Sequence, residues 1–110
     1  MATQEITSII IEKGADFSVS FLIDSFDGTP LNVSDYTAVA KIRKYPSSKS
    51  YKSFVAEVLG ETGYVTISMD KETTKQLSAG RNYFDVLLTN QYETIKPVRG
   101  SIIVEDTASI

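Results

Sequence analysis

Apolar and polar residues alternate along most of this chain in short runs, spaced about ten positions apart and separated by Gly, Pro, Asp, Asn and Ser. A two-residue period sends successive side chains to opposite faces of a strand, so each run predicts a β-strand with one face on a core. The first run covers Ile6 to Glu12 and stops at Lys13-Gly14. Asp16 to Asp24 follows, with Phe17, Val19, Phe21 and Ile23 on one face and Ser18, Ser20 and Leu22 on the other. Tyr36 to Tyr45 sets Ala38, Ala40 and Ile42 against Val39, Lys41 and Arg43. Tyr51 to Leu59 and Tyr64 to Met69 flank Gly60-Glu-Thr-Gly63, a hairpin loop, and Val65, Ile67 and Met69 share a face. Asn82 to Thr89 and Thr94 to Glu105 complete the series. Pro97 and Gly100 interrupt the last run, which predicts a bulge or an edge position.

The connections carry their own signals. Asp24 to Pro30 is a loop turning at Asp27-Gly28, and Leu31-Asn-Val33 is a short strand or turn crossing one end. Pro46 to Ser50 breaks the third strand. Asp70 to Leu77 has helical character: Asp70 caps a single turn and Leu77 closes it onto the core. After Leu77-Ser-Ala-Gly80-Arg-Asn, Tyr83 opens an alternating strand. In many immunoglobulin-like sandwiches a buried Tyr at such a site hydrogen-bonds back to the preceding backbone, forming a tyrosine corner. Leu77, Gly80 and Tyr83 are the residues expected to build it. The reading is all-β: one immunoglobulin-like antiparallel β-sandwich over residues 1–110, with seven or eight strands and short polar termini.

Composition supports one folded domain. The 110 residues are 42% hydrophobic and 23% charged, the balance of an ordinary globular protein. The chain contains no Cys and no His, which removes thiol nucleophiles, disulfides, thiolate zinc sites and His-based acid–base chemistry. Met-Ala-Thr-Gln-Glu lacks the basic and apolar regions of a signal peptide, and no apolar run has the length of a membrane span. Synthesis in the cytoplasm, without membrane insertion, is expected.

Charge is uneven. The net charge of −3 argues against general nucleic-acid binding. Yet five of the 11 basic residues, Lys41, Arg43, Lys44, Lys49 and Lys52, fall in a window without an acid. Such a stretch either guards an exposed edge strand against aggregation or offers a patch to a complementary surface.

Other candidates have plainer explanations. Asp16, Asp24, Asp27 and Asp35 supply oxygens of the kind Ca²⁺ takes, but their spacing follows no calcium loop and turn chemistry accounts for each. No metal or cofactor is expected. Asn32-Val-Ser34 is a glycosylation sequon by coincidence. Arg43, Lys44 and Arg81 lack the glycine-rich nest of a phosphate site. Of the tyrosines, Tyr45 and Tyr51 flank the basic loop and join Lys41, Arg43, Lys44 and Lys52 as partner-contact candidates. No spacing assembles a nucleophile with a base, so no catalytic residue is assigned and an enzyme is not expected.

Several stretches resemble small immunoglobulin-like domains of tailed-bacteriophage virion proteins. They are Ile11-Glu-Lys-Gly-Ala-Asp-Phe17, Asp27-Gly-Thr-Pro-Leu-Asn-Val-Ser-Asp-Tyr-Thr-Ala-Val-Ala-Lys-Ile-Arg43, Gly63-Tyr-Val-Thr-Ile-Ser-Met69, Leu77-Ser-Ala-Gly-Arg-Asn-Tyr-Phe-Asp-Val86 and Gly100-Ser-Ile-Ile-Val104. Their order covers nearly the whole chain. It is similar to domains of baseplate upper proteins, tail-fibre attachment regions and short virion proteins of cyanophage-like myoviruses. The resemblance implies a non-enzymatic, multicopy virion subunit contacting capsid or tail proteins, as a decoration or as an adaptor of tail, baseplate or fibre. The alternative is a module on the virion that binds host glycan through Tyr45, Tyr51, Tyr64 and Tyr92.

Overall fold

The structure, a computed structural model, describes residues 3–25 and 28–106. Eight strands form two packed sheets: β1 (Gln4–Glu12), β2 (Phe17–Leu22), β3 (Thr37–Arg43), β4 (Lys52–Ser53), β5 (Val55–Val58), β6 (Tyr64–Met69), β7 (Gly80–Thr89) and β8 (Thr94–Glu105). One sheet has the order β1-β8-β7-β3-β4 and the other β2-β6-β5. The expected all-β sandwich is therefore present. Its core lies between the sheets, where Phe21, Ile23, Val65 and Ile67 meet Ile42, Phe84, Val86, Leu88, Val98 and Ile102. Phe21 and Phe84 stack across the gap, their ring centroids 6.1 Å apart.

Four departures from the sequence-based expectation have local causes. First, β1 runs parallel to β8, while every other strand pair is antiparallel. Second, β8 is an inner strand, so of the two readings of Pro97 only the bulge holds. Val86 pairs Val98 and Leu88 pairs Ile95, which leaves Lys96 and Pro97 opposite Leu87 alone. The missing N–H of Pro97 falls where the ladder is already interrupted.

Third, the run from Tyr51 to Leu59 is two strands, not one. Lys52 and Ser53 pair with β3 in the larger sheet, and Val55 to Val58 pair with β6 in the smaller. Buried Phe54 marks the crossing, with its ring 5.9 Å from Phe17. Fourth, there is no tyrosine corner at Tyr83. Tyr83 stands on the outer face of β7, and the neighbouring Asn82, 3% exposed, points inward. Its Nδ2 donates to the Ser78 carbonyl at 2.8 Å and the Gly80 carbonyl at 3.2 Å. An amide thus ties the strand to its preceding loop. Leu77 is buried as expected, and Gly80 opens β7.

Glycine is required where β1 crosses β8. Ile6 pairs Gly100 and Ile9 pairs Ile102, so Thr7 and Ser8 bulge opposite Ser101. A Cβ on Gly100 would sit 1.8 Å from the Ile6 carbonyl oxygen. The bulge also resets the phase of β1, allowing Ile6, Ile9 and Ile11 all to turn toward the core.

Strand directions give the sandwich two ends. The helix end gathers residues 13–16, 44–51 and 70–79, including the one-turn α1 (Lys71–Thr74). The hairpin end gathers residues 23–25, 28–36, 59–63 and 90–93. Buried Thr74 ties the helix end together: its Oγ1 accepts from Gly14 N–H at 3.0 Å and lies 3.0 Å from the Ala15 carbonyl and 3.1 Å from the Lys71 carbonyl, to one of which it donates. Backbone bonds close the hairpin end, from Ile23 N–H to Gly63 O, Leu31 N–H to Ile23 O and Val33 N–H to Gly60 O. Gly63 there has a φ of 79°, the left-handed conformation that ends the 3-10 turn at Gly60–Thr62.

Candidate binding surface

The larger sheet turns a charged face to solvent. Register aligns one row of side chains across its strands, Glu5 on β1, Arg99 on β8, Asp85 on β7 and Lys41 on β3. Signs alternate along the row, and two ion pairs form from it. Arg99 Nη2 lies 2.9 Å from Glu5 Oε1, and Asp85 Oδ2 lies 3.6 Å from Lys96 Nζ. The adjacent row is Arg43, Tyr83 and Ser101. These residues, with Arg81, Thr7 and Pro46, line an open groove of about 410 Å³. Its charged lining is five basic and two acidic side chains on a chain of net charge −3.

A second concavity, about 490 Å³, lies around the corner at the helix end and shares Arg43 with the first. Lys44, Lys49 and Lys52 line it together with Tyr51, Gln76 and Ser78, and no acid does. Neutral groups hold three of its cations. Lys44 Nζ donates to the Ala79 carbonyl, Lys52 Nζ to Gln76 Oε1 and Arg43 Nε to the Ser48 carbonyl. Lys41 Nζ sits 4.1 Å from the Tyr51 ring centroid and the Arg43 guanidinium 5.1 Å. These contacts orient the side chains and leave the positive charge intact. Among the described residues, none of Lys41, Arg43, Lys44, Lys49, Lys52 and Arg81 forms an ion pair with a carboxylate.

The structure thus brings Lys41, Arg43, Lys44, Tyr51 and Lys52 to one corner, and Tyr45 projects beside them, 62% exposed. Tyr83 joins the groove instead of the core. Arg99, Lys96, Glu5 and Asp85 also belong to this face. Only strand order places them next to Lys41 and Arg43. Tyr64 lies on the outer face of the small sheet, and Tyr92 tips the turn at the hairpin end, 83% exposed. The four tyrosines considered for glycan recognition therefore occupy three separate places.

The small sheet presents a different face. Ser18, Ser20, Thr66 and Ser68 form a patch of hydroxyls, with Ser20 Oγ 2.7 Å from Thr66 Oγ1. Leu22, Tyr64 and Leu59 add an exposed apolar margin.

The loop aspartates do not converge. Asp16, at the helix end, accepts from Lys71 N–H at 2.8 Å. Asp24 and Asp35 lie at the hairpin end, and Asp27 falls outside the described residues. Asn32 Oδ1 accepts from Ser34 N–H and Ser34 Oγ, so the sequon asparagine shapes its own turn. Among the described residues, two groups are shifted from their ordinary values. The 2.6 Å hydrogen bond from the Tyr36 phenol to Glu93 Oε1, aided by burial and by the Glu93 charge, pushes Tyr36 up to about 12. The Asp70 carboxyl is lowered because its side chain accepts from Thr73 as the cap of α1.

No protein-family model matches the sequence, and no curated protein does. Among solved structures, the fold is similar to the N-terminal domain of phage TP901-1 ORF48, with a TM-score of 0.59 at 16% sequence identity. The similarity covers 94% of this chain and 92% of that one.

Proposed function

We propose that this chain is a structural module of a tailed-phage virion: an immunoglobulin-like sandwich that docks on a larger assembly and performs no chemistry itself. The observation that carries this reading is the fold shared with the phage TP901-1 ORF48 domain across nearly the full length of both chains. The sequence resemblance to small sandwiches of tailed-phage virion proteins agrees with a phage setting. A sandwich is a scaffold for many roles, so the surface must supply the mechanism.

Here that surface is the outer face of the larger sheet and the basic corner beside it. At the corner, Lys41, Arg43, Lys44 and Lys52 are oriented by neutral groups and not neutralised, which keeps these side chains ordered before contact and attracts acidic partner surfaces at long range. Capsid decoration and a tail, baseplate or fibre adaptor are the two roles such a face serves, in many copies per particle.

Mass spectrometry of purified particles from the phage that encodes the chain, combined with a cryo-EM map, tests the reading. Density for the sandwich at symmetry-related capsid or tail positions supports it and identifies the contacted protein. Complete particles lacking the chain overturn it.

A further inference from the structure

The charges of this molecule are sorted between its ends. Six cations without a carboxylate partner among the described residues, Lys41, Arg43, Lys44, Lys49, Lys52 and Arg81, lie toward the helix end of the β3–β4 side. Acids also occur at the helix end, but several are engaged there. Asp16 and Asp70 accept backbone N–H groups, Glu72 pairs with Lys75, and Asp106 pairs with Lys13.

The described loops of the hairpin end carry the reverse pattern. Asp24, Asp35, Glu61 and Glu93 are all exposed, none is in an ion pair, and no Lys or Arg occurs in these loops. The shapes differ as well. The basic corner is concave, around about 490 Å³, whereas the acidic end projects the turn tipped by Tyr92.

We infer that this chain binds a second copy of itself head to tail, the acidic hairpin end of one copy seated against the basic corner of the next. Charge complementarity selects the occupant, because the same molecule presents both the unneutralised cations and a matching set of carboxylates. The contact is heterologous: it uses two different patches, so a pair of copies retains one free patch of each sign and the association extends in one direction. The two patches are offset across the sandwich, so successive copies are staggered.

Such a contact is weak in free solution. Exposed ion pairs contribute little individually and are screened by salt, so the isolated protein associates only at roughly millimolar concentration and low ionic strength. It becomes effective where a scaffold holds copies side by side and raises their local concentration. The inference does not depend on the virion reading, since it concerns the purified chain alone.

Sedimentation velocity and small-angle scattering on the full chain test it, at about 20 mM and about 300 mM NaCl. Two charge-reversed variants accompany the wild type, Lys49→Glu with Arg81→Glu and Asp35→Lys with Glu61→Lys. All four side chains are exposed, and circular dichroism melts check that both variants stay folded. The expected result is salt-sensitive association of the wild type and at least about a tenfold loss of association constant in each variant alone. An equimolar mixture of the two variants associates again, because each then faces an opposite charge. A wild type that stays monomeric at low salt and millimolar concentration overturns the inference. So does association that persists unchanged in either variant alone.

Discussion

The two ends of the sandwich are closed by different chemistry. At the helix end, buried polar side chains do the tying: Thr74 bridges the β1–β2 turn and α1, and Asn82 holds β7 to the loop before it. At the hairpin end, backbone bonds close the loops around buried Val33, and the side-chain contacts, such as Tyr36 to Glu93, lie near the surface. The difference teaches where substitution is costly. A buried hydroxyl or amide cannot be replaced by water when its partner is removed, whereas a surface contact can.

Substitutions ranked by size put this comparison at risk. Gly100→Ala strikes the β1–β8 seam that runs between the ends, since its Cβ collides with the backbone of β1 at Ile6 and must push that strand off β8. A loss of about 3 kcal/mol is expected, read from the denaturant midpoint, with exchange protection lost along β1. Thr74→Val keeps the shape but leaves Gly14 N–H without its acceptor; about 2 kcal/mol is expected. Hydrogen exchange should open residues 13–16 and 70–77 and leave the hairpin end protected. Equal loosening of both ends would refute the division. Asn82→Ala should cost about 1 kcal/mol, because the exposed Ser78 and Gly80 carbonyls recover water.

The smallest effects separate the ends by pH. Tyr36 has a raised pKa in the folded state, so its hydrogen bond to Glu93 stabilises fully below the ordinary value of 10.0 and fades as pH climbs toward about 12. Asp70 has a lowered pKa, so its cap is intact above the ordinary value of 3.8 and fades as pH falls through the folded value. Alkali therefore loosens the hairpin end first, and acid the helix end. Ultraviolet titration should find Tyr36 ionising late, near pH about 12, and Glu93→Gln should lower that value. An unchanged late titration in Glu93→Gln would remove Glu93 as the cause.

Much of this architecture is legible in the chain, because alternation is a direct image of a half-buried strand. The inward faces of β2, β3 and β6 follow from Phe17 to Ile23, Ala38 to Ile42 and Val65 to Met69. Asp70 also caps α1 as its position predicts. What the pattern conceals is phase and partnership. Asn82 and Tyr83 are adjacent, and a shift of one residue exchanges inside for outside. The Leu77-Ser-Ala-Gly80-Arg-Asn-Tyr83 pattern of a tyrosine corner puts Tyr83 inside, but here the back-bonding donor is the shorter Asn82 amide, which reaches the Ser78 carbonyl. The sheet change at Phe54 leaves no break in the Tyr51 to Leu59 run, since both halves are extended. The basic window is plain in the sequence. Its neighbours Arg81, Lys96 and Arg99 reach the same face only through the order β8-β7-β3, a long-range property.

The parallel pairing of β1 with β8 has a mechanical consequence. Gln4 lies toward the hairpin end and Glu105 at the helix end, so the first and last strands enter and leave the sandwich in opposite directions. Tension applied across the chain termini pulls these two strands past each other along their length. The hydrogen bonds between them are then loaded together in shear, not opened one after another like a zip. A module held at both ends in a machine that pulls would yield only when that whole seam slips.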